Sequence, residues 1–292
     1  MKMSDFKSKI NYLNQLKNMG IEYYCSNDKD HAALHKAFFS HDHSKEKAEA
    51  HNPQIPSRDD FKDGNIGLSM QQTQTPQADN NNSPISTARR LADSATTIEN
   101  LREIVMNFEL CNLKKLAINT VFSDGNPNAD YMFIGEAPGA TEDKMGIPFC
   151  GESGKLLDNI LASINVSRKT NAYITNTVFW RPPANRAPTQ EEIDICRPFV
   201  EKHIALIKPK IIILVGSVAA TGLLGKHAGI TRIRQEYYSY SNQYLSAPIT
   251  TTSIFHPAYL LRQPMQKKTT WYDLLKIKHY VRENKILEQV RS

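Results

Sequence analysis

Cysteine is scarce in this chain. Cys25, Cys111, Cys150 and Cys196 are its four cysteines in 292 residues, far apart and with no Cys-x-x-Cys pair. That excludes a disulfide framework in a reducing compartment. Long apolar runs are also missing. None approaches the roughly 18 to 20 residues that a membrane span needs, and the opening Met1-Lys-Met-Ser-Asp-Phe6 lacks the apolar core of a signal peptide. A soluble, cytoplasmic, monomeric protein without a membrane partner is expected. Acidic excess is absent too: 36 Lys and Arg against 30 Asp and Glu give a net charge of +6. This permits a polyanionic partner without requiring one.

The length suits one domain with an extension. Residues 4–19 have Ser4 as N-cap, Phe6, Ile10 and Leu13 on one face and Gly20 as a stop, so residues 1–25 read as a short helical segment. Residues 26–85 are rich in Asn, Gln, Ser, Pro, His and Lys. They carry too little apolar surface to offset chain entropy, and this composition predicts a disordered linker. His41 and His43 lie there without further ligands nearby, which sets a metal site aside. A folded domain is expected over 86–292.

Within that domain, strand and helix alternate. Strands are expected at 131–135, 172–179, 211–215 and 249–255. Capping boxes at Thr96-x-x-Glu99 and Thr189-x-x-Glu192 open helices, and residues 229–247 read as a peripheral excursion. The pattern predicts a three-layer α/β/α sandwich around a central four-stranded parallel sheet. Ligands of such sheets sit beyond the carboxyl ends of the strands. Those ends bring Glu136, Asn176, the 180–188 loop, Ser217 and His256 to one rim. A phosphate-loop reading of Gly146, Gly151 and Gly154 fails on spacing, since Glu152 stands where the lysine is required. Those glycines instead allow a ligand to approach or elements to pack tightly.

Five segments in order resemble family 4 uracil-DNA glycosylases. They are Gly135-Glu-Ala-Pro-Gly139 with Glu142-Asp143; Gly146-x-Pro-Phe149-x-Gly151-x-x-Gly154-x-Leu-Leu-Asp158; Ile174-Thr-Asn176; Arg181-Pro-Pro183 with Asn185-Arg186; and His256-Pro-Ala-Tyr-Leu-Leu-Arg262. The resemblance covers about residues 100–280 and implies uracil-containing DNA as substrate, with base excision repair as the setting. By that resemblance Phe149 stacks on uracil, Asn176 reads its polar edge, and Ala137 lines the base site. His256 donates to the uracil carbonyl oxygen, Glu136 orients water and favours the positive sugar, and Asn185 helps hold water. Pro138, Gly139, Ser217, Pro257, Arg262 and Lys267 would meet DNA, with Leu260 and Leu261 wedging into the gap left by the flipped nucleotide.

The resemblance also implies a 4Fe-4S cluster on four cysteines. Only Cys111 and Cys196 stand at its positions, while Phe108 and Trp180 occupy the other two. A cluster needs all four thiolates, so no cofactor is expected and the two aromatic residues should fill its space. A relative that attaches covalently to DNA carries His where this chain has Asn185. A DNA-damage-binding module without catalysis would have no use for Glu136, Asn176 and His256 together. The extension could tether a repair or replication protein.

Overall fold

Apolar runs become parallel strands because only a strand buried on both faces accepts them. In the computed structural model, which describes residues 83–225 and 229–288, β2 (Tyr131–Gly135), β3 (Ala172–Asn176) and β4 (Ile211–Val215) are buried at every position. With β6 (Ile249–Ile254) they form the parallel centre of the sheet. Two short antiparallel strands, β1 (Asp124–Gly125) and β5 (Tyr238–Tyr240), extend it at either edge. The order is β1-β3-β2-β4-β6-β5. The four expected strands are therefore the centre of a sheet of six. The helical segment 4–19, most of the 26–85 linker and the two linker histidines lie outside the described residues.

Side chains alternate across the sheet and feed two cores. Met132, Ile134, Tyr173, Ile212 and Leu214 face α1 (Pro84–Ser94), α2 (Ile98–Asn107), α5 (Gln190–Ile207) and α6 (Ser217–Leu224). Tyr131, Phe133, Ile174, Ile211 and Ile213 face α4 (Glu152–Ala162), α8 (Pro257–Arg262) and α9 (Gln266–Glu283). This period of two is what a sheet between helix layers requires. The remaining helices, α3 (Ala140–Met145) and α7 (Ile230–Ile233), are short and belong to the site rim.

Local signals place the helix ends. Thr189 Oγ1 accepts from Glu192 N while the Glu192 carboxylate accepts from Thr189 N, completing the expected capping box at α5. At α2 the cap is one residue later than expected. Thr97, not Thr96, accepts from Asn100 N, and no reciprocal acid closes the box. Helix α1 starts at Pro84 under a Ser83 cap, slightly before the expected domain boundary. It is tied to α5 by the Arg89–Glu201 ion pair at 2.5 Å. Strand β3 stops at Asn176, three residues before the expected end, because the chain turns there and Thr177 N donates to Gly135 O.

Candidate active site

The chain leaves the centre of the sheet in two directions. Strand β3 lies on one side of β2 and β4 on the other, and a crevice opens beyond their carboxyl ends. A cavity of about 710 Å³ occupies it. Glu136 follows β2, Asn176 ends β3, Ser217 follows β4, and His256 follows β6; all four line the cavity. Ala137, Pro138, Gly139, Phe149, Asn185 and Arg262 complete the expected set that the fold gathers here.

Asn176 is buried, and its Oδ1 has no hydrogen-bond partner. A buried carbonyl oxygen left in this state loses solvation without compensation, so the site is built to receive a donor. Oδ1 and the Phe149 ring both press on Gly135. A Cβ at that residue would lie 2.5 Å from each. Only glycine lets the amide and the ring approach the same point.

His256 caps α8. Its Nδ1 accepts from Ala258 N at 3.2 Å, which leaves Nε2 to carry the ring proton. Burial, reinforced by the Arg262 charge, holds its pKa down to about 4. The imidazole is therefore neutral near pH 7 and offers one N–H. Its ring centroid is 5.7 Å from that of Phe149. Glu136 is half-buried, and burial raises its carboxyl above the usual carboxylate range. Its backbone carbonyl accepts from the Thr177 hydroxyl, fixing the loop that carries it. Asn185 is exposed, in a left-handed conformation, and its Oδ1 accepts from Arg181 Nε at 2.7 Å.

Two expected DNA contacts need correction. Leu260 is 0% exposed and packs in the core beneath α8, so it cannot enter a duplex; Leu261, at 44%, is the exposed member of the pair. Pro257 is buried as the first residue of α8. Lys267 lies on α9 with its side chain partly exposed, outside the cavity lining. The excursion at 229–247 is not wholly peripheral either, because Ile230 and Thr231 form part of the cavity wall.

Two residues in the resembling segments acquire clear places. Glu142 Oε1 accepts from Cys150 N at 3.0 Å and Gly151 N at 2.8 Å, anchoring the turn that follows Phe149. Buried Asp143 accepts from Ile118 N and Asn119 N, tying α3 to the segment before β1. Both were visible as motif residues, but no sequence spacing could assign these partners.

The fold also brings Phe108, Cys111, Trp180 and Cys196 into one buried core. Phe108 stacks on Trp180 with centroids 6.4 Å apart and meets Phe199 edge-on at 5.0 Å. Cys111 and Cys196 are both buried free thiols in this core. Two thiols beside two carbon-rich rings do not form the donor set of a 4Fe-4S cluster. Among the described residues, no three His, Cys, Asp or Glu side chains converge as a metal site. These residues do not fit the group.

Comparison with known proteins agrees with this geometry. Residues 122–275 match the family model described as uracil DNA glycosylase superfamily. A type-4 uracil-DNA glycosylase of Sulfurisphaera tokodaii is 36% identical over 62% of this chain and 84% of its own. That of Archaeoglobus fulgidus is 35% identical over 62% of this chain and 92% of its own. A DNA polymerase of Bacillus phage SP01 is 28% identical over 54% of this chain, but over only 16% of its own length. By its matched family model and its well-covered alignments with the two type-4 enzymes, the chain belongs to the uracil DNA glycosylase superfamily and to its type-4 branch.

Proposed function

We propose that this protein is a monofunctional uracil-DNA glycosylase that opens base excision repair. The observation that carries the reading is the unpaired, buried Oδ1 of Asn176 beside the Phe149 ring. A uracil flipped out of DNA presents a carbonyl next to an N–H along its polar edge. The Asn176 amide complements both: Oδ1 accepts from the ring N–H and Nδ2 donates to the adjacent carbonyl. Cytosine reverses this order of donor and acceptor and is refused. Phe149 supplies the stacking face.

Cleavage breaks the bond between the sugar carbon and the base nitrogen. The electron pair leaves with uracil and spreads onto its carbonyl oxygen, where the Nε2–H of neutral His256 donates a hydrogen bond. The sugar becomes cation-like. Ionised Glu136 stabilises that charge and orients water toward the sugar carbon, with Asn185 at the edge of the same space. Water adds its oxygen to the sugar and its proton passes to the carboxylate, and that proton then passes through solvent to the uracil anion, giving free uracil, an abasic site and ionised Glu136 again. Leu261 fills the place of the flipped nucleotide, with Arg262 against a phosphate.

The proposal includes activity without an iron–sulfur cluster, the Phe108–Trp180 pair occupying its space, in a monomer working in the cytoplasm. Among the described residues no helix is long and apolar enough to cross a membrane. The N-terminal extension is proposed to tether a replication or repair protein. Removing residues 1–82 should leave excision from naked oligonucleotides intact while lowering retention on immobilised DNA polymerase. Equal retention would refute the tether.

Function is tested with duplexes carrying uracil, thymine or cytosine at one position, incubated with the protein and then treated with alkali. Strand breaks at uracil alone are expected. Intact uracil strands would overturn the assignment.

A further inference from the structure

We infer that Arg168, which lies outside the cavity lining, is the positioning residue that fixes the plane of the Phe149 ring and so governs binding of the base. The inference rests on the reading of Phe149 as the stacking face given above.

Phe149 has φ of 51°, a left-handed conformation that a bulky aromatic residue avoids unless its surroundings impose it. Arg168 imposes it from one side. Its Nη1 donates to Pro148 O at 3.1 Å and its Nη2 to Phe149 O at 2.9 Å, so one planar group holds two successive carbonyls. The guanidinium is itself oriented by Asp124 Oδ2 at 2.8 Å, on the edge strand β1, and by Asp158 Oδ1 at 2.9 Å, on α4. Glu142 holds the next two backbone N–H groups from the other side. Helix α4 closes the arrangement: a Cβ on Gly154 would stand 1.7 Å from Phe149 O, so only glycine permits this approach. The peptide units around Phe149 are thus held at their carbonyls by Arg168 and at their amides by Glu142. This assigns a task to Asp158, which the motif contains without explaining. Lysine has a single charged nitrogen and cannot reproduce the fork.

The test is a double-mutant cycle in the full-length protein. Arg168→Met and Arg168→Lys are made in the wild-type and Phe149→Ala backgrounds. Two quantities are measured: the single-turnover rate of uracil excision and the inhibition constant of free uracil. Arg168→Met should slow excision about ten-fold or more and weaken uracil inhibition by a similar factor, because the stacking face is lost from its place. In the Phe149→Ala background the same substitution should change either quantity by less than about two-fold. Arg168→Lys should fall between wild type and Arg168→Met. Equal losses in both backgrounds, or unchanged uracil inhibition, would overturn the inference and leave Arg168 as an ordinary structural ion pair. Full activity of Phe149→Ala alone would instead refute the stacking role on which the inference rests. Should Arg168→Met fail to fold, Asp158→Asn loosens the guanidinium and carries the same cycle.

Discussion

Gly135 and Asn176 stand opposite one another in the parallel register of β2 and β3, and the space that Gly135 leaves is taken by the Asn176 amide and the Phe149 ring. Gly135→Ala should therefore move one or both of these groups. A loss of at least about ten-fold in kcat/KM is expected, equivalent to about 1.4 kcal/mol of transition-state binding. Steady-state kinetics on a uracil oligonucleotide measure it. Wild-type kinetics in Gly135→Ala would show that the close approach has no consequence.

Asn176→Asp retains the shape of the side chain but removes its N–H donors. The carboxylate then faces the uracil carbonyl with an acceptor, and excision should fall by about two orders of magnitude. Rates on uracil and cytosine substrates check this. An unimpaired uracil rate would mean that Asn176 does not read the base.

The pH profile of excision follows from two groups. The role proposed for Glu136 requires its ionised form, and burial raises its carboxyl above the ordinary value. His256 keeps its Nε2–H in the neutral form down to about pH 4. Activity should therefore fall on acidification as Glu136 is protonated, before His256 gains its second proton. A kcat/KM profile over pH 4–8 tests the order. Glu136→Gln should abolish that acid limb and lower the plateau by about 10²–10⁴.

Stability should also decline in acid, for a reason away from the cavity. His203 is fully buried, Tyr173 OH lies 2.7 Å from its Nε2, and burial, with the Arg102 charge, depresses its pKa to about 3. In the unfolded chain it titrates near 6.5. Between these values the unfolded state binds the proton and the native state does not, so stability falls as pH drops below 6.5. The penalty from His203 is about 3 kcal/mol at pH 4. His256 adds in the same direction down to about pH 4. Asp273, raised to about 6 by burial against the opposing effect of Arg234, has the opposite slope between its ordinary value and 6. Urea unfolding at pH 4 and 7 should show a smaller acid loss in His203→Gln than in wild type. An unchanged difference would contradict the assignment.

Much of this architecture is legible in the sequence where burial is complete. Continuous runs such as Ile211–Val215 can only be satisfied inside a sheet, and the helical spacing of Leu156, Leu157, Ile160 and Leu161 marks the buried face of α4. The edge strands escape because Asp124–Gly125 is too short and Tyr238–Tyr240 too polar to produce a periodic signal. Helix α1, with only Ala88 and Ala92 fully buried, was equally silent. In the site, residue type and position at strand ends locate Glu136, Asn176 and His256. The Leu260–Leu261 pair shows the limit. Adjacent leucines on a six-residue helix point in different directions, and only packing decides which is core. Arg168 was invisible because its partners, Asp124, Pro148, Phe149 and Asp158, come from separate parts of the chain.

The central claim is that a neutral His256 and its neighbours expel uracil from DNA without a metal cluster. Single-turnover release of uracil from a labelled duplex, by protein whose iron content has been measured in the same sample, tests it most directly. Iron-free wild-type protein should release uracil, and His256→Ala should be about 10²–10³ slower while still binding the DNA. Iron-free protein that binds but releases nothing, or a His256→Ala variant as fast as wild type, would contradict the account.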